Sequence, residues 1–327
     1  PTPTGDCRAI IDRCFDLTSP QVTKYKDGKQ AAASYTFDDG YSSSTRIATI
    51  FENRGLRATF YLIAGEVADA DWTFWRGLAA KGHEIGNHSM THRIVMNDPN
   101  LTYQVLDTEI NASQRLIEQR IGRKPLTFAF PWHQYSDRAL ALAMQNHFSV
   151  RKIDINESSY RFAYFDQEHG RTQAESLQLV NRQLAEAVNL GGWFVGGGHG
   201  VDGDGWSPVT SQFLIDHLTY AQTFSSRLWT DTYANVARYR QCRAQARPVI
   251  TTASSSQATV RLSGNFNPAV CTEPLTIAMP VREALRGQVT ARNMAGAAVP
   301  VAIVNGMLLF DARPGSDVTL QVTAAAR

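Results

Sequence analysis

The sequence predicts an α/β domain followed by a small all-β domain, and three observations carry that reading. From Ala31 to about Arg240, short β-rich runs alternate with helical stretches, the pattern of a parallel sheet or barrel covered by helices. After Arg247 the composition changes: residues 248–327 hold no Lys, His, Trp or Tyr and consist of short Val/Ile/Leu/Thr runs separated by Gly, Pro and Asn. Thr251–Gln257, rich in Ser and Thr, reads as the linker between the two parts. The expected division is an N-terminal extension (residues 1–30), a catalytic domain (31–247) and a C-terminal β-sandwich (248–327).

In the first part the strand runs are Ala32–Phe37, Ala58–Ile63, Thr127–Phe130, Phe148–Ile153 and Trp193–Gly196. Each is short and rich in β-branched or aromatic residues, or bounded by turn residues. Leu101–Gln119 reads as the clearest helix, with Leu101, Val105, Ile110, Leu116 and Ile117 on one face; Ala174–Asn189 and Ser211–Phe224 read the same way. In the second part, runs at Ala258–Leu262, Pro274–Ala278, Gln288–Ala291, Val299–Val304, Met307–Phe310 and Val318–Val322 recur at the spacing of a small sandwich.

Lys+Arg is 32 against Asp+Glu 30, a net charge of +2, which excludes charge-driven nucleic-acid binding as a leading function. No apolar run reaches the length of a membrane span; Ala295–Phe310 comes nearest and is broken by Pro300, Asn305 and Gly306. The chain starts at Pro1 without Met; a cleaved export signal is one explanation and a trimmed N-terminus the plainer one. The four cysteines, Cys7, Cys14, Cys242 and Cys271, have no CxxC spacing and permit two disulfides; the expected pairs are Cys242–Cys271 and Cys7–Cys14.

Three clusters carry chemistry, each at the end of a strand run. In Tyr35-Thr36-Phe37-Asp38-Asp39-Gly40, two adjacent carboxylates are costly unless a cation or metal meets them, although Asp-Asp-Gly is also ordinary turn chemistry. In Gly82-His83-Glu84-Ile85-Gly86-Asn87-His88-Ser89-Met90-Thr91-His92, the pair His88 and His92 at i and i+4 brings two imidazoles to one side of a turn. Two His and one Asp make a facial set with open positions for water and substrate, and Asp39 is the natural third ligand. In Gly196-Gly197-Gly198-His199-Gly200, a histidine flanked by glycines allows close backbone approach to an exposed ring. Between the clusters, Phe128–Tyr135 contains Pro131, Trp132 and Tyr135, of which the two aromatics suit stacking on a sugar face.

Thr36–Gly40, then His88–His92, then a Pro-aromatic strand end, then a late His after a strand, in that order, resemble the polysaccharide deacetylase (NodB-homology) family of carbohydrate esterases. The resemblance covers about residues 31–240. It implies a distorted (β/α) barrel with one divalent metal ion, zinc above all, at the C-terminal strand ends. It further implies that Asp39, His88 and His92 bind the metal, that Asp38 is the general base and His199 the general acid, and that the Trp132 N–H helps hold the oxyanion. The candidate substrate-binding residues are Tyr41, Pro131, Trp132, Tyr135 and Trp206.

Two departures from the family pattern stand out. Ala129 occupies the place of an Arg that orients the catalytic Asp, and Arg151 at the end of the next strand run is the expected substitute in the catalytic set. Gly197 occupies the place of a Leu that lines the acetyl-methyl pocket, so the wall is expected to be open unless Trp132 or Trp206 fills it. The resulting expectation is a metal-dependent enzyme, secreted, periplasmic or in the cell envelope. It removes acetyl groups, N-acetyl first, from a polymer such as peptidoglycan or a chitin-like glycan. An O-acetyl esterase on xylan or a similar polysaccharide is the near rival, and a catalytically inactive carbohydrate-binding protein is the rival from another class. The β domain, with Phe266 and Phe310 as its only aromatics, is expected to be structural.

Overall fold

The structure, a computed structural model, describes residues 20–152, 157–166, 171–253, 257–281 and 289–322. The chain divides into two compact units. One is Gln30–Ala237; the other combines the described parts of Pro1–Lys29 and Arg238–Arg327. Among the described residues no helix is long and apolar enough to cross a membrane.

A two-residue strand, β1 (Gln21–Val22), precedes the α/β unit. Along that unit run β2 (Ala31–Phe37), α1 (Ser44–Glu52), β3 (Thr59–Leu62), α2 (Trp72–Ala80), β4 (Glu84–Asn87), α3 (Tyr103–Asp107) and, after one π-helical turn (Thr108–Ala112), α4 (Ser113–Ile121). Then follow β5 (Thr127–Ala129), α5 (Asp137–Asn146), β6 (Ser149–Arg151), β7 (Arg161–Tyr164), α6 (Gln173–Asn189), β8 (Trp193–Gly198), α7 (Ser211–Gln222) and β9 (Leu228–Thr230). The strands are ordered β6-β5-β4-β3-β2-β8-β7, with β9 also on β2, and every pairing is parallel. Among the described residues no ladder joins β6 to β7. The result is a distorted, open (β/α) barrel with its helices outside.

Strand β2 shows why the sheet forms. All seven residues are buried, and alternate positions divide between the two faces. Ala31, Ala33, Tyr35 and Phe37 enter the main core with Phe51, Phe60, Phe165 and Phe194, whereas Thr36 reaches Arg151 with its hydroxyl. The helices start on side-chain caps: Ser136 for α5, Thr210 for α7, and a Thr172–Glu175 capping box for α6. The expected helix Leu101–Gln119 runs from Tyr103 to Ile121 but is not α-helical throughout. The π-helical turn interrupts it, and Glu109, Asn111, Ser113 and Gln114 are buried alongside Ile110 and Ile117.

The second unit contains the end of α8 (Tyr233–Gln245) and the strands β10 (Ala246–Ala253), β11 (Gln257–Gly264), β12 (Leu275–Pro280), β13 (Val289–Asn293), β14 (Ala298–Val299), β15 (Val301–Val304), β16 (Met307–Ala312) and β17 (Asp317–Val322). They form two antiparallel sheets, β1-β12-β16-β15 and β10-β11-β17-β13-β14, the expected sandwich. Alternation drives it: Ala258, Val260 and Leu262 of β11 and Val318, Leu320 and Val322 of β17 point inward. The expected linker Thr251–Gln257 is instead part of a strand pair, since β10 runs to Ala253 and β11 starts at Gln257. Threonine serves a strand as readily as a turn, and here the pairing decides.

A disulfide joins Cys242 to Cys271. Sequence reading expected it to pin the catalytic part to the β domain. Both cysteines belong to the same unit, so the bond staples α8 to the sandwich within that unit. Closing a loop of this size stabilises by roughly 3–4 kcal/mol. The expected Cys7–Cys14 bond lies outside the described residues.

Two histidines are buried in the α/β unit far from any solvent. His217 is surrounded by the rings of Tyr35, Phe165 and Phe194 and bonded at Nδ1 to Asn181 (2.7 Å). His147 bonds the Ala143 carbonyl (3.0 Å) and Asn87 (3.2 Å). Burial pushes His217 down to about 3 and His147 down to about 4 from 6.5. The unfolded chain takes up these protons near pH 6.5 and the folded chain only near pH 3–4. Stability is therefore full above pH 6.5 and falls as pH drops through that window, by on the order of 1 kcal/mol per pH unit per histidine. We expect the thermal midpoint to fall by roughly 10 °C between pH 7 and pH 5, and His217→Phe to reduce that fall. Scanning calorimetry at the two pH values checks this, and equal midpoints would contradict it.

Candidate active site and metal centre

The C-terminal ends of the barrel strands surround a cavity of 780 Å³. Strand β2 delivers Asp38 and Asp39, β4 delivers His88 and the loop to His92, β5 leads to Trp132 and His133, β7 ends in Tyr164, and β8 leads to His199. This is where barrel folds carry their chemistry, because loops there vary without disturbing the packed interior.

The turn after β2 is held by geometry. Asp38 N–H donates to the Gly198 carbonyl (2.9 Å), and Asp39 (φ 71°) and Gly40 (φ 82°) then adopt left-handed conformations. With φ 82° and a built Cβ 2.9 Å from Leu62 Cδ2, position 40 favours glycine. The turn sends the two carboxylates in different directions. Asp39 Oδ1 lies 3.6 Å from His88 Nε2 and 3.8 Å from His92 Nε2. Asp38 turns to Arg151, whose NH1 and NH2 bond Oδ1 and Oδ2 at 2.6 Å each.

One donor atom from each of Asp39, His88 and His92 lies within 4.8 Å of the others. Two details show that this trio fits a metal ion. Asp39 Oδ1 is buried without a hydrogen-bond partner. His88 Nδ1 is 2.7 Å from the Ala129 carbonyl, which must accept, so that nitrogen carries the proton and Nε2 presents its lone pair toward Asp39. Tyr41 completes the rim: burial, then the Asp39 carboxylate beside it, push its phenol up to about 12, so it remains a neutral donor.

Asp38 and Arg151 form a buried ion pair. Burial alone would raise the Asp38 pKa, but the Arg151 guanidinium, with a contribution from His88, holds it well below the usual carboxylate range. Arg151 itself is 1% exposed, bonds Thr36 Oγ1 (2.9 Å) and lies over the Tyr61 ring. It does not line the cavity. The sequence reading expected it to stand in for an arginine that orients the catalytic Asp, and it meets the cavity only through its two bonds to Asp38.

Of the other expected site residues, Tyr41, Trp132, Trp206 and His199 line the cavity. Trp132 packs on the His92 ring (4.5 Å between centroids) and Trp206 edge-on to His199 (4.9 Å), and both indoles are about half exposed. Pro131 and Tyr135 do not line it. Pro131 is buried in the turn, and Tyr135 stacks on Phe130 (4.6 Å) against a separate core cluster. Neither Trp132 nor Trp206 fills the space at Gly197. Phe162 does: its Cζ lies 2.6 Å from where a Cβ on residue 197 would be.

Sequence reading passed over three residues here. His133 lines the cavity behind the two aromatics of β7, with its ring 5.6 Å from that of Phe162 and 5.5 Å from that of Tyr164. Burial, then the positive charge of Arg151, push it down to about 3, so it is neutral. It lies inside the Pro131–Tyr135 run quoted above, and its φ of 58°, after 53° at Trp132, marks a strained turn of the kind that collects at functional sites. Phe162 and Tyr164 come from β7, a strand too short and too polar at its start to stand out.

Residues 25–150 match the family model of the polysaccharide deacetylases. Over those residues the chain is similar to the polysaccharide deacetylases. Among curated proteins, the chain is similar to a gellan lyase of a Bacillus species, 24% identical over 288 residues, which is 81% of this chain and 12% of the lyase. It is also similar to a peptidoglycan-N-acetylglucosamine deacetylase of Bacillus cereus, 34% identical over 101 residues, 30% of this chain and 36% of that enzyme. The matches thus span less than half the length of these curated relatives. Among solved structures, a family 4 carbohydrate esterase from Streptomyces lividans in complex with acetate is 21% identical, with a TM-score of 0.47, covering 62% of this chain and 92% of that one.

Proposed function

We propose that this deacetylase domain hydrolyses acetyl groups from an acetylated polysaccharide outside the cytoplasm, N-acetyl before O-acetyl, with one divalent ion, zinc first, held by Asp39, His88 and His92. The observation that supports this most is the division of labour between adjacent aspartates: one turned to two imidazoles, the other locked on a buried guanidinium, both open to one cavity. When bound, a divalent ion supplies acidification of a water and polarisation of the acyl carbonyl.

The chain's own residues supply the rest. Asp38, kept ionised by Arg151, accepts the proton of the attacking water. Its low pKa makes it a modest base, but it is always in the basic form and cannot rotate away. The Trp132 N–H, presented by the strained turn, donates to the developing oxyanion. His199, at the end of β8 beside β2, delivers a proton to the leaving amine or alcohol. Trp132 and Trp206 offer two half-exposed faces for sugar rings. The Cys242–Cys271 disulfide agrees with an oxidising compartment.

The test is acetate release from chitin oligomers, peptidoglycan and acetylxylan, with and without chelator. Release that chelator abolishes and zinc restores is expected, with His88→Ala losing zinc and activity together. Hydrolysis untouched by chelator in a zinc-free preparation would remove the metal from the reading.

Phe162 fills the space at Gly197 behind His133 and Tyr164, which line the cavity, and we place the acyl methyl toward that filled space. Each added methylene in an apolar pocket is worth about 1–3 kcal/mol, so selectivity for acetyl over propionyl of roughly 10–200-fold is expected in the parent enzyme. Phe162→Ala should bring the acetyl and propionyl esters within about tenfold of each other while Trp206→Ala leaves the ratio unchanged. Competition assays with acetyl and propionyl esters read this directly.

A further inference from the structure

We propose that the π-helical turn Thr108–Ala112 is a clamp that pre-shapes the His88–His92 loop for metal, with Glu109 as its positioning residue. The inference rests on the metal reading given above and concerns residues outside the ligand set.

The loop needs such a clamp. Between the two histidines, Ser89 (φ 74°) and His92 (φ 54°) are both left-handed without being glycine. His92 N–H on Ser89 Oγ (3.0 Å) and the Ala64 and Gly65 N–H groups on the Ser89 and Met90 carbonyls (3.0 and 2.9 Å) hold one side of the segment, and the Met90 and Thr91 amides need a partner on the other. Glu109, 4% exposed, meets the loop with three hydrogen bonds. Its Oε2 accepts from Met90 N–H (3.2 Å) and Thr91 N–H (3.0 Å), and its Oε1 accepts from the Thr91 hydroxyl (2.8 Å).

The π-helical turn also grips from its backbone. The Ile110 carbonyl accepts from Asn87 Nδ2 (3.0 Å), and Asn87 Oδ1 accepts from Ser89 N–H (3.0 Å). Ser113 Oγ bonds the Glu109 and Ile110 carbonyls (2.7 and 2.9 Å), groups that a π turn leaves without their usual i+4 partners. An uninterrupted α-helix would rotate Glu109 relative to the residues on either side of the turn. The extra residue therefore has a use: it aims one carboxylate and one carbonyl at the same loop. Asn87 is itself held by His147 Nε2 (3.2 Å).

The experiment is titration calorimetry of the metal-free full chain with zinc ion alone, comparing Glu109→Gln, Glu109→Asp and Glu109→Ala. Glutamine keeps the reach and one acceptor oxygen for the two amides, and its NH2 finds the Thr91 hydroxyl as acceptor. Aspartate keeps the charge and loses the reach. Outer residues that orient ligands typically change affinity about 10–100-fold. We expect Glu109→Gln to bind zinc within about threefold of the parent, and Glu109→Asp and Glu109→Ala to bind about 10–100-fold more weakly, with kcat restored at saturating zinc. Hydrogen exchange at Met90 and Thr91 should accelerate in the metal-free aspartate variant and not in the glutamine variant. Should Glu109→Ala fail to fold, the Gln–Asp pair carries the comparison. Parental zinc affinity and parental exchange in Glu109→Asp would overturn the clamp. A parent that binds no zinc would overturn the metal reading with it.

Discussion

Asp38→Asn keeps its zinc and loses about 10²–10⁴-fold in kcat, the usual loss when general-base help is removed. The expectation follows from where the two carboxylates of the Asp38-Asp39 pair point. Asp39 Oδ1 faces His88 and His92 at 3.6 and 3.8 Å, whereas both oxygens of Asp38 are on Arg151 at 2.6 Å. Asparagine at 38 retains shape and one acceptor, but it cannot take a proton and it leaves Arg151 with half a partner. Zinc content by atomic absorption and kcat on the same preparation decide the matter. A variant that loses its zinc would exchange the roles of the two aspartates.

Arg151→Met has the second largest expected effect, and its signature is a displaced pH profile. In the parent, the guanidinium overrides burial and keeps Asp38 ionised throughout the working range. Activity that depends on ionised Asp38 is present above its pKa and lost as pH falls through it. With methionine at 151, burial is opposed only by the smaller contributions of His88 and His199 and that pKa rises, so the acid limb of the kcat profile moves upward and activity recovers as pH is raised. We expect a loss of about 10²–10³-fold at pH 7, the scale of lost general-base help, that shrinks at higher pH. Arg151→Lys, which keeps charge without the two-pronged geometry, should fall between parent and methionine variant. Removing one member of a buried pair also costs about 3–5 kcal/mol in stability, so circular dichroism must confirm folding first. A methionine variant with an unmoved acid limb would separate Arg151 from the ionisation of Asp38.

How much of this could be read from the chain depends on the range of each signal. Asp38, Asp39, His88 and His92 declare themselves because the chemistry is local: adjacent carboxylates and an i, i+4 histidine pair. Arg151 was reachable because a strand end in a parallel sheet has few neighbours, and Ala129 and Arg151 are paired residues on β5 and β6. The clamp was not reachable. A one-residue π insertion barely disturbs a 3.6-residue period, so Leu101–Gln119 reads as one helix, and buried Glu109 looks like a solvated residue. Phe162 was hidden for a different reason. Its contact with Gly197 joins neighbouring strands β7 and β8 whose register no sequence pattern announces. Tyr135 misled because an aromatic near a catalytic turn suits a sugar platform and a core equally, and the core had Phe130 waiting.

The pairing of β1 with β12 bears on the order in which the chain can fold as it is made. Gln21 and Val22 lie opposite Ala278 and Ile277, so a strand near the start of the described chain finds its partner only after some 250 further residues. The α/β unit is one uninterrupted segment, Gln30–Ala237, and every one of its strand partners has left the ribosome once β9 has emerged. The sandwich instead waits for its last strands, since β16 and β17 lie inside its two sheets. During synthesis at about 5–20 residues per second, β1 stays unpaired for more than ten seconds, holding an open hydrogen-bonding edge beside a domain already able to close. The Cys242–Cys271 bond forms within that later unit. Oxidation of this pair is therefore a marker of the final folding event rather than of the first.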